Sequence, residues 1–463
     1  MKARFLRPVV ALILVIPLFF TGLPVHPVAA QSGGVYYIVQ DNDSLTSISQ
    51  NFHTTPARIA LANYITDVNF LAPGTRLYIP GFDDLSGLLT QTTVAVGETP
   101  LSLMRQSHSD PSAFYRLNFL TNPDAIAVGY KMYTLTSESP SADVRVPVSS
   151  GQTALELSVT NGVNPWTTLV ANTLSGAWDV LPNDILYLPS SAGQAAEQVL
   201  PGVTDLSINT LQQGKTAIFS AQVSSDVQLS GSLDGYTLNL FPQSDGSTLA
   251  LQGIPRMTVP GPVSLLLTVT QTDGSTYSFQ QNLLVKKVDY GYDAPLTVPS
   301  ETVDPAITGP EDDFLFKTVA PATATQMWSG IFTPPVVNPN CRPDTFGKLR
   351  SFNGSDYSYF HSGIDFCGGV GDKIFAVADG VVVYTGQLDV RGGTTLIDHG
   401  HGVYSGYYHQ SEIDVKQGDT VKAGQQIGLI GDTGRVTGPH LHLDVIVGDV
   451  QVDPDEWLSG TMP

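Results

Sequence analysis

The sequence predicts a mainly β chain in several domains: an antiparallel β domain at the C-terminal end, a β-sandwich before it, and tandem βααβ modules in the first half. Three observations carry this. The first half repeats itself every 54 to 56 residues, the middle alternates short apolar runs with Asp-Gly turns, and the end strings Gly-punctuated strands around a block of histidines. At 463 residues the chain can hold several cores of roughly 100 to 200 residues each. Charged residues make up only 14%, against a usual ~25%, so long charged helices are not expected to dominate. The 22 Lys and Arg against 42 Asp and Glu leave a net charge of −20, which argues against nucleic acid or an anionic membrane surface as the main partner.

Residues 1–30 read as a signal peptide. Lys2, Arg4 and Arg7 precede an apolar run from Val9 to Phe20, and Val28, Ala29 and Ala30 offer a small-residue cleavage site before Gln31. The run is shorter than the ~20 residues a span needs and is broken by Pro17. Export to a secreted, cell-surface or periplasmic location is expected, with no stable membrane span after signal removal. Loss of the three basic residues takes the charge from −20 to −23.

Residues 35–81, 91–136 and 144–190 lay over one another as three copies, the second divergent. Leu45, Leu101 and Leu155 recur 56 and 54 residues apart, and Asn63, Asn118 and Asn172 recur 55 and 54 apart. Each copy reads as strand, two short helices flanking the Asn, and strand. These features resemble the LysM carbohydrate-binding module, and the resemblance implies a groove for GlcNAc-containing glycans such as peptidoglycan. The Leu positions read as core. The Asn positions read equally as helix-terminus residues, so no glycan contact is assigned to them.

Residues 203–288 carry short alternating runs separated by Asp234-Gly235, Asp245-Gly246 and Asp273-Gly274, the chemistry of antiparallel hairpins. An Ig-like β-sandwich follows as the expected fold. It holds no cluster of His, Cys or Glu, so a spacer or positioning role outweighs catalysis. Residues 293–340 are Pro-rich and read as a linker with a short helix at "GPEDDFLF", where Pro310 and the acids after it suit a helix N-terminus.

Chemistry becomes legible in residues 341–463. Six of the nine histidines, His361, His399, His401, His409, His440 and His442, fall after residue 360, more than packing alone explains. In "HSGID", His361 and Asp365 would stand ~13 Å apart on an extended strand, whereas two ligands of one ion need donor atoms ~3 to 4 Å apart. The backbone must bend between them, and Gly363 sits where the bend is needed. "GPHLHLDVIV" alternates as a strand, placing His440, His442 and Asp444 on one face and Leu441, Leu443 and Val445 on the other. Either motif alone reads as buried structural histidine; together they point to a metal site.

The blocks "HSGID", "AVADGVVVYTG", "LIDHGHG", "YYHQS", "VKAGQQIGLIGDTG" and "GPHLHLDV" resemble the lysostaphin-type M23 zinc endopeptidases, which hydrolyse peptidoglycan. Carried over position by position, the resemblance implies Zn2+ held by His361, Asp365 and His442, with His440 and His409 as the catalytic histidines. Three ligands leave a fourth position for water, whose pKa zinc lowers to ~7. One of the two catalytic histidines would move the proton and the other would hydrogen-bond the developing oxyanion, with His440 favoured as base because it adjoins a ligand on the same strand. The chain departs from the family in having Leu443 and Asp444 where an aromatic and Glu are usual. Asp444 is a candidate for holding a ligand in place, His399 reads as a strand-end residue or a second such candidate, and His401 reads as a solvated turn residue. Tyr357 and Tyr359 read as ordinary aromatic packing.

The resemblance implies a peptidoglycan endopeptidase acting on peptide cross-links. A non-enzymatic wall-binding protein or hydrolase activator, and an N-acetylmuramoyl-L-alanine amidase, are the alternatives. A lipoyl-type carrier, suggested by "VKQGDTVKAGQQIGLIG", would need a lysine at a hairpin tip that is not there. Export permits a disulfide between Cys341 and Cys367, and it is preferred to a fourth thiolate ligand from Cys367, which would close the catalytic position. Oligomeric state is not legible.

Overall fold

The computed structural model describes residues 34–463 other than 108, 123–125, 137–142, 150, 175, 178, 182–183, 189–197 and 461. The expected signal peptide lies outside the described residues. No helix among them is long and apolar enough to cross a membrane. The chain is mainly β, with its helices concentrated in the N-terminal copies.

The three copies share one local code. In each, the first helix opens on a capping box: Ser44 with Ser47, Thr99 with Ser102, and Thr153 with Glu156. The second opens on a cap followed by proline, at Thr55-Pro56, Asp110-Pro111 and Asn164-Pro165. The repeated Asn ends that helix. Its amide donates to the carbonyl four residues back and to a carbonyl of the closing strand, and its oxygen accepts the N–H of the same strand residue. Asn63 thus clamps Tyr78, Asn118 clamps Tyr133 and Asn172 clamps Tyr187.

The expectation for the leucines holds only at Leu45, which is 2% exposed, whereas Leu101 and Leu155 are 40% and 47% exposed. The caps Ser44, Thr99 and Thr153 set the true register. Leu45 is the first helical residue of its copy, a place taken by buried Pro100 and Ala154 in the others, so Leu101 and Leu155 sit one position later and face solvent.

The first two copies join in one sheet, in the order Arg76–Ile79, Gly34–Ile38, Ser86–Thr93, Lys131–Thr136. The second copy therefore begins at Ser86, ahead of the expected residue 91. The third keeps its own pair, Val144–Pro147 with Ile185–Leu188.

Two five-stranded sheets follow, packed over a common core that includes Phe219, Leu233, Leu265, Leu267 and Leu283. The strand Gln198–Leu200 precedes the expected start at 203. The strand Ala127–Val128 of the second copy adds in parallel to Thr276–Val285, which ties the copies to the sandwich.

The segment expected to be a linker is part of the C-terminal domain. Trp328, Phe332 and Val336 enter that domain's core, as do Leu249 and Leu251 of the sandwich. The helix Pro305–Val319 starts on Asp304-Pro305, five residues before Pro310, which lies inside it. An aspartate cap and a proline at the first helical position outweighed the later proline. Its Leu315 and Val319 pack on Leu396, Tyr404 and Tyr408.

The C-terminal domain is built on a nine-stranded antiparallel sheet whose main path runs Ile364–Cys367, His440–Val447, Val403–Ile413, Gly392–Gly400, Gly380–Leu388, Thr420–Val421. Leu441, Leu443 and Val445 face the main core. Cys341 and Cys367 form a disulfide, S–S 2.01 Å, that fastens the loop carrying Cys341 to the strand carrying Asp365.

Candidate metal centre

Register brings the site together. Asp365 lies directly opposite His442 across the antiparallel pair Ile364–Cys367 and His440–Val447, and Tyr408 lies opposite His442 from the other side. His361 precedes the first of these strands and reaches back over Gly363. The chain bends at Gly363, but the reason for glycine is space: a Cβ there would come within 2.1 Å of the Leu443 carbonyl oxygen and 2.6 Å of His442 Nε2.

One atom from each of three residues converges. His361 Nε2 is 3.0 Å from Asp365 Oδ1 and 3.0 Å from His442 Nδ1, and His442 Nδ1 is 2.9 Å from Asp365 Oδ1. The other ring nitrogens are committed. His361 Nδ1 donates to the Thr345 carbonyl at 2.9 Å and His442 Nε2 donates to Asp444 Oδ1 at 2.6 Å. With both rings neutral, as metal ligation requires, two lone pairs and a carboxylate oxygen would face one point. Burial opposes charge on the His442 ring, yet Asp444 and Asp365 push it up to about 9, so a cation bound here would displace a proton, and the spacing is close to what two ligands at ~2.0 to 2.2 Å require. The residues present therefore fit a divalent metal.

Burial opposes the charge on Asp365, yet His361 and His442 hold its carboxyl well below the usual carboxylate range. Asp444, fully buried, also accepts from Gln451 Nε2 at 2.7 Å, so it orients His442 despite its departure from the usual Glu.

His440 and His409 stand beside the triad with ring centroids 4.9 Å apart. His440 Nδ1 donates to the Gly438 carbonyl and His409 Nδ1 to the Thr433 carbonyl, each at 2.8 Å, so both turn Nε2 toward the cleft as an acceptor. His440 Nε2 is 3.6 Å from Asp365 Oδ1. His409 is reached through a β-bulge. On a regular strand Tyr408 and His409 would face opposite sides, but the register slips there and His409 adopts φ 63°, so both line the same cleft. Burial, with His442 and His440 nearby, pushes His409 down to about 3.

Two histidine expectations are corrected. His399 is fully buried, between the Asp379 carbonyl and Ser405 and against Phe332, with no contact to the triad. Its place on the sheet turns it into the core. His401 is buried too, stacked on Phe241 of the sandwich at 4.2 Å. A neighbouring domain covers a turn that its own sequence marks as solvated.

The cleft, about 540 Å³, has a wall that sequence reasoning missed. Asp293, Leu296 and Asp312 come from the former linker, and Arg350, Arg391 and Arg435 from the C-terminal domain. Arg350 bridges Asp293 and Asp344, and Arg391 bridges Glu311 and Asp312. None belongs to a periodic motif, which is why none was visible. Tyr359 lines the cleft, while Tyr357 packs edge-on against Tyr292.

Residues 359–454 match Peptidase family M23, and residues 37–80 match the LysM domain. The C-terminal domain is thus an M23 peptidase domain, and the first copy is a LysM domain. Peptidoglycan DD-endopeptidase ShyA of Vibrio cholerae is 47% identical over 87 residues, 19% of this chain and 20% of that protein. DD-carboxypeptidase/endopeptidase Mpg of Neisseria meningitidis is 39% identical over 94 residues, 20% of this chain and 22% of that protein. The matched part is therefore about a fifth of the length of these relatives. A solved peptidase M23 structure from Pseudomonas aeruginosa is 25% identical, covering 55% of this chain and 97% of that chain at a TM-score of 0.42.

Proposed function

We propose that this is an exported, zinc-dependent peptidoglycan endopeptidase that cleaves peptide cross-links and is held on the wall by its N-terminal repeats. One observation carries the reading: one potential ligand atom each of His361, Asp365 and His442 converge within about 3.0 Å, beside two histidines whose Nδ1 atoms are held by carbonyls. Zinc bound there supplies a Lewis acid that polarises a carbonyl and lowers the pKa of water. The chain's own residues do the rest. Thr345 and Asp444 fix the ligand rings. His440 Nε2 takes the proton from the attacking water and returns it to the leaving amine, with the Asp365 carboxylate nearby to favour the charged ring. His409, held by Thr433, lines the cleft beside His440.

The peptidoglycan DD-endopeptidase named among the relatives supports a stem-peptide substrate, and the LysM domain supports wall attachment through glycan. At −20 the chain gains little from attraction to an anionic wall, so local glycan contacts must hold it there. Digestion of purified wall followed by mass analysis tests the reading. Dimeric muropeptides should become monomers with glycan strands still joined to their stems. Free glycan with intact stems would identify an amidase, and bound protein with unchanged muropeptides a non-enzymatic binder.

A further inference from the structure

Three guanidinium groups line the cleft, and they are not equivalent. Arg350 and Arg391 each bridge two carboxylates. Arg435 pairs with none among the described residues, where the one hydrogen bond of its guanidinium runs from Nη1 to the Thr302 carbonyl at 2.7 Å. The guanidinium lies over the Phe352 ring at 4.7 Å. Its position is thus fixed by a carbonyl at one tip and an aromatic face beneath, while the Nε–Nη2 edge has no acceptor among the described residues.

That edge is the fork that matches a carboxylate with two parallel N–H donors. Its electrostatic setting is unfavourable as it stands. Burial, then Arg350 and Arg391, push Arg435 down to about 10, and Asp312 and Glu311, which act in the opposite direction, are already engaged by Arg391. In a chain with 42 acidic residues, a partly buried arginine beside two others without an acid of its own calls for an external anion.

We propose that Arg435 is a specificity-determining residue of the cleft, binding a free carboxylate of the peptide substrate through its Nε–Nη2 edge. The proposal rests on the endopeptidase reading, since peptidoglycan stem peptides carry such carboxylates. Thr302 takes part by its backbone, so the Pro-rich segment at 293–340 helps to build the subsite.

The test compares a synthetic cross-linked stem-peptide dimer with its carboxylates free and the same dimer fully amidated. Binding is measured on the full zinc-loaded chain carrying His440→Ala to stop turnover. The free acid should bind roughly 10- to 100-fold more tightly than the amide, the range for a charge-assisted pair. Arg435→Gln should bring the ratio close to one, and Arg435→Lys, which keeps charge but not the fork, should leave an intermediate ratio. Equal binding of acid and amide with Arg435 present, a ratio unchanged by Arg435→Gln, or no binding of either peptide overturns the proposal. Cleavage by the chain with His440 intact is read separately: two uncut dimers would defeat the endopeptidase reading, while the acid-to-amide ratio still decides the subsite.

Discussion

Each N-terminal copy spends one repeated amide on the backbone: Asn63, Asn118 and Asn172 tie a helix end to a closing strand, with both N–H donors and the oxygen engaged. The peptidase domain buries polar groups as well, but half of each is held back. His361, His442, His440 and His409 each give one nitrogen to a fixed acceptor and turn the other toward the cleft. A polar side chain whose donor and acceptor ends are both engaged by the backbone is structural, and one that is anchored with a free end is positioned for chemistry. The same criterion separates Arg435 from Arg350 and Arg391.

The sharpest break should come within the "HLH" pair. His442→Ala should lose both metal and activity, whereas His440→Ala should keep about one metal per chain and lose roughly 10²- to 10⁴-fold in turnover. Metal analysis of the two purified variants decides it, and loss of metal from both would erase the division between ligand and base. A smaller effect is expected one contact away. Asp444→Ala frees the His442 Nε2 proton from its acceptor and should weaken metal affinity roughly 10- to 100-fold, measured by chelator competition.

Glu456 tests where the sandwich meets the peptidase domain. It accepts from the Thr216 N–H at 2.8 Å, and burial pushes it up to about 7 from 4.5. The folded state therefore holds this proton more tightly than the unfolded chain, and the resulting stability is complete at low pH and lost as pH rises through 7. Denaturant titrations at ~pH 5 and ~pH 8 should differ by up to about 3 kcal/mol, with Glu456→Gln flattening the difference. The smallest change is expected from Asn172→Ala, which should destabilise its copy by about 1 to 3 kcal/mol and leave turnover of a soluble peptide untouched. A fall in that turnover would mean that the copies are coupled to the active site.

Much of the site was legible because its residues are of rare type and regular spacing. The alternation of "HLHLDV" puts His440, His442 and Asp444 on one face, and the strand His440–Val447 carries them there. His409 could be reached only by resemblance, since the bulge that re-aims it leaves no periodic trace. The leucine alignment failed by a single residue, because a helix cap and not a leucine sets the register of each copy.

The sequence by itself determined the order of elements, the three caps, the clustered histidines and the pair of cysteines, all of which depend on residues near one another along the chain. Only the tertiary structure decided that the Pro-rich segment is a wall and not a linker, that His399 and His401 are buried, and that Arg435 has no carboxylate partner among the described residues. The physical reason is common to these: burial and charge pairing depend on what lies across space. Asp293 meets Arg350 and Phe241 meets His401 only after the domains have packed.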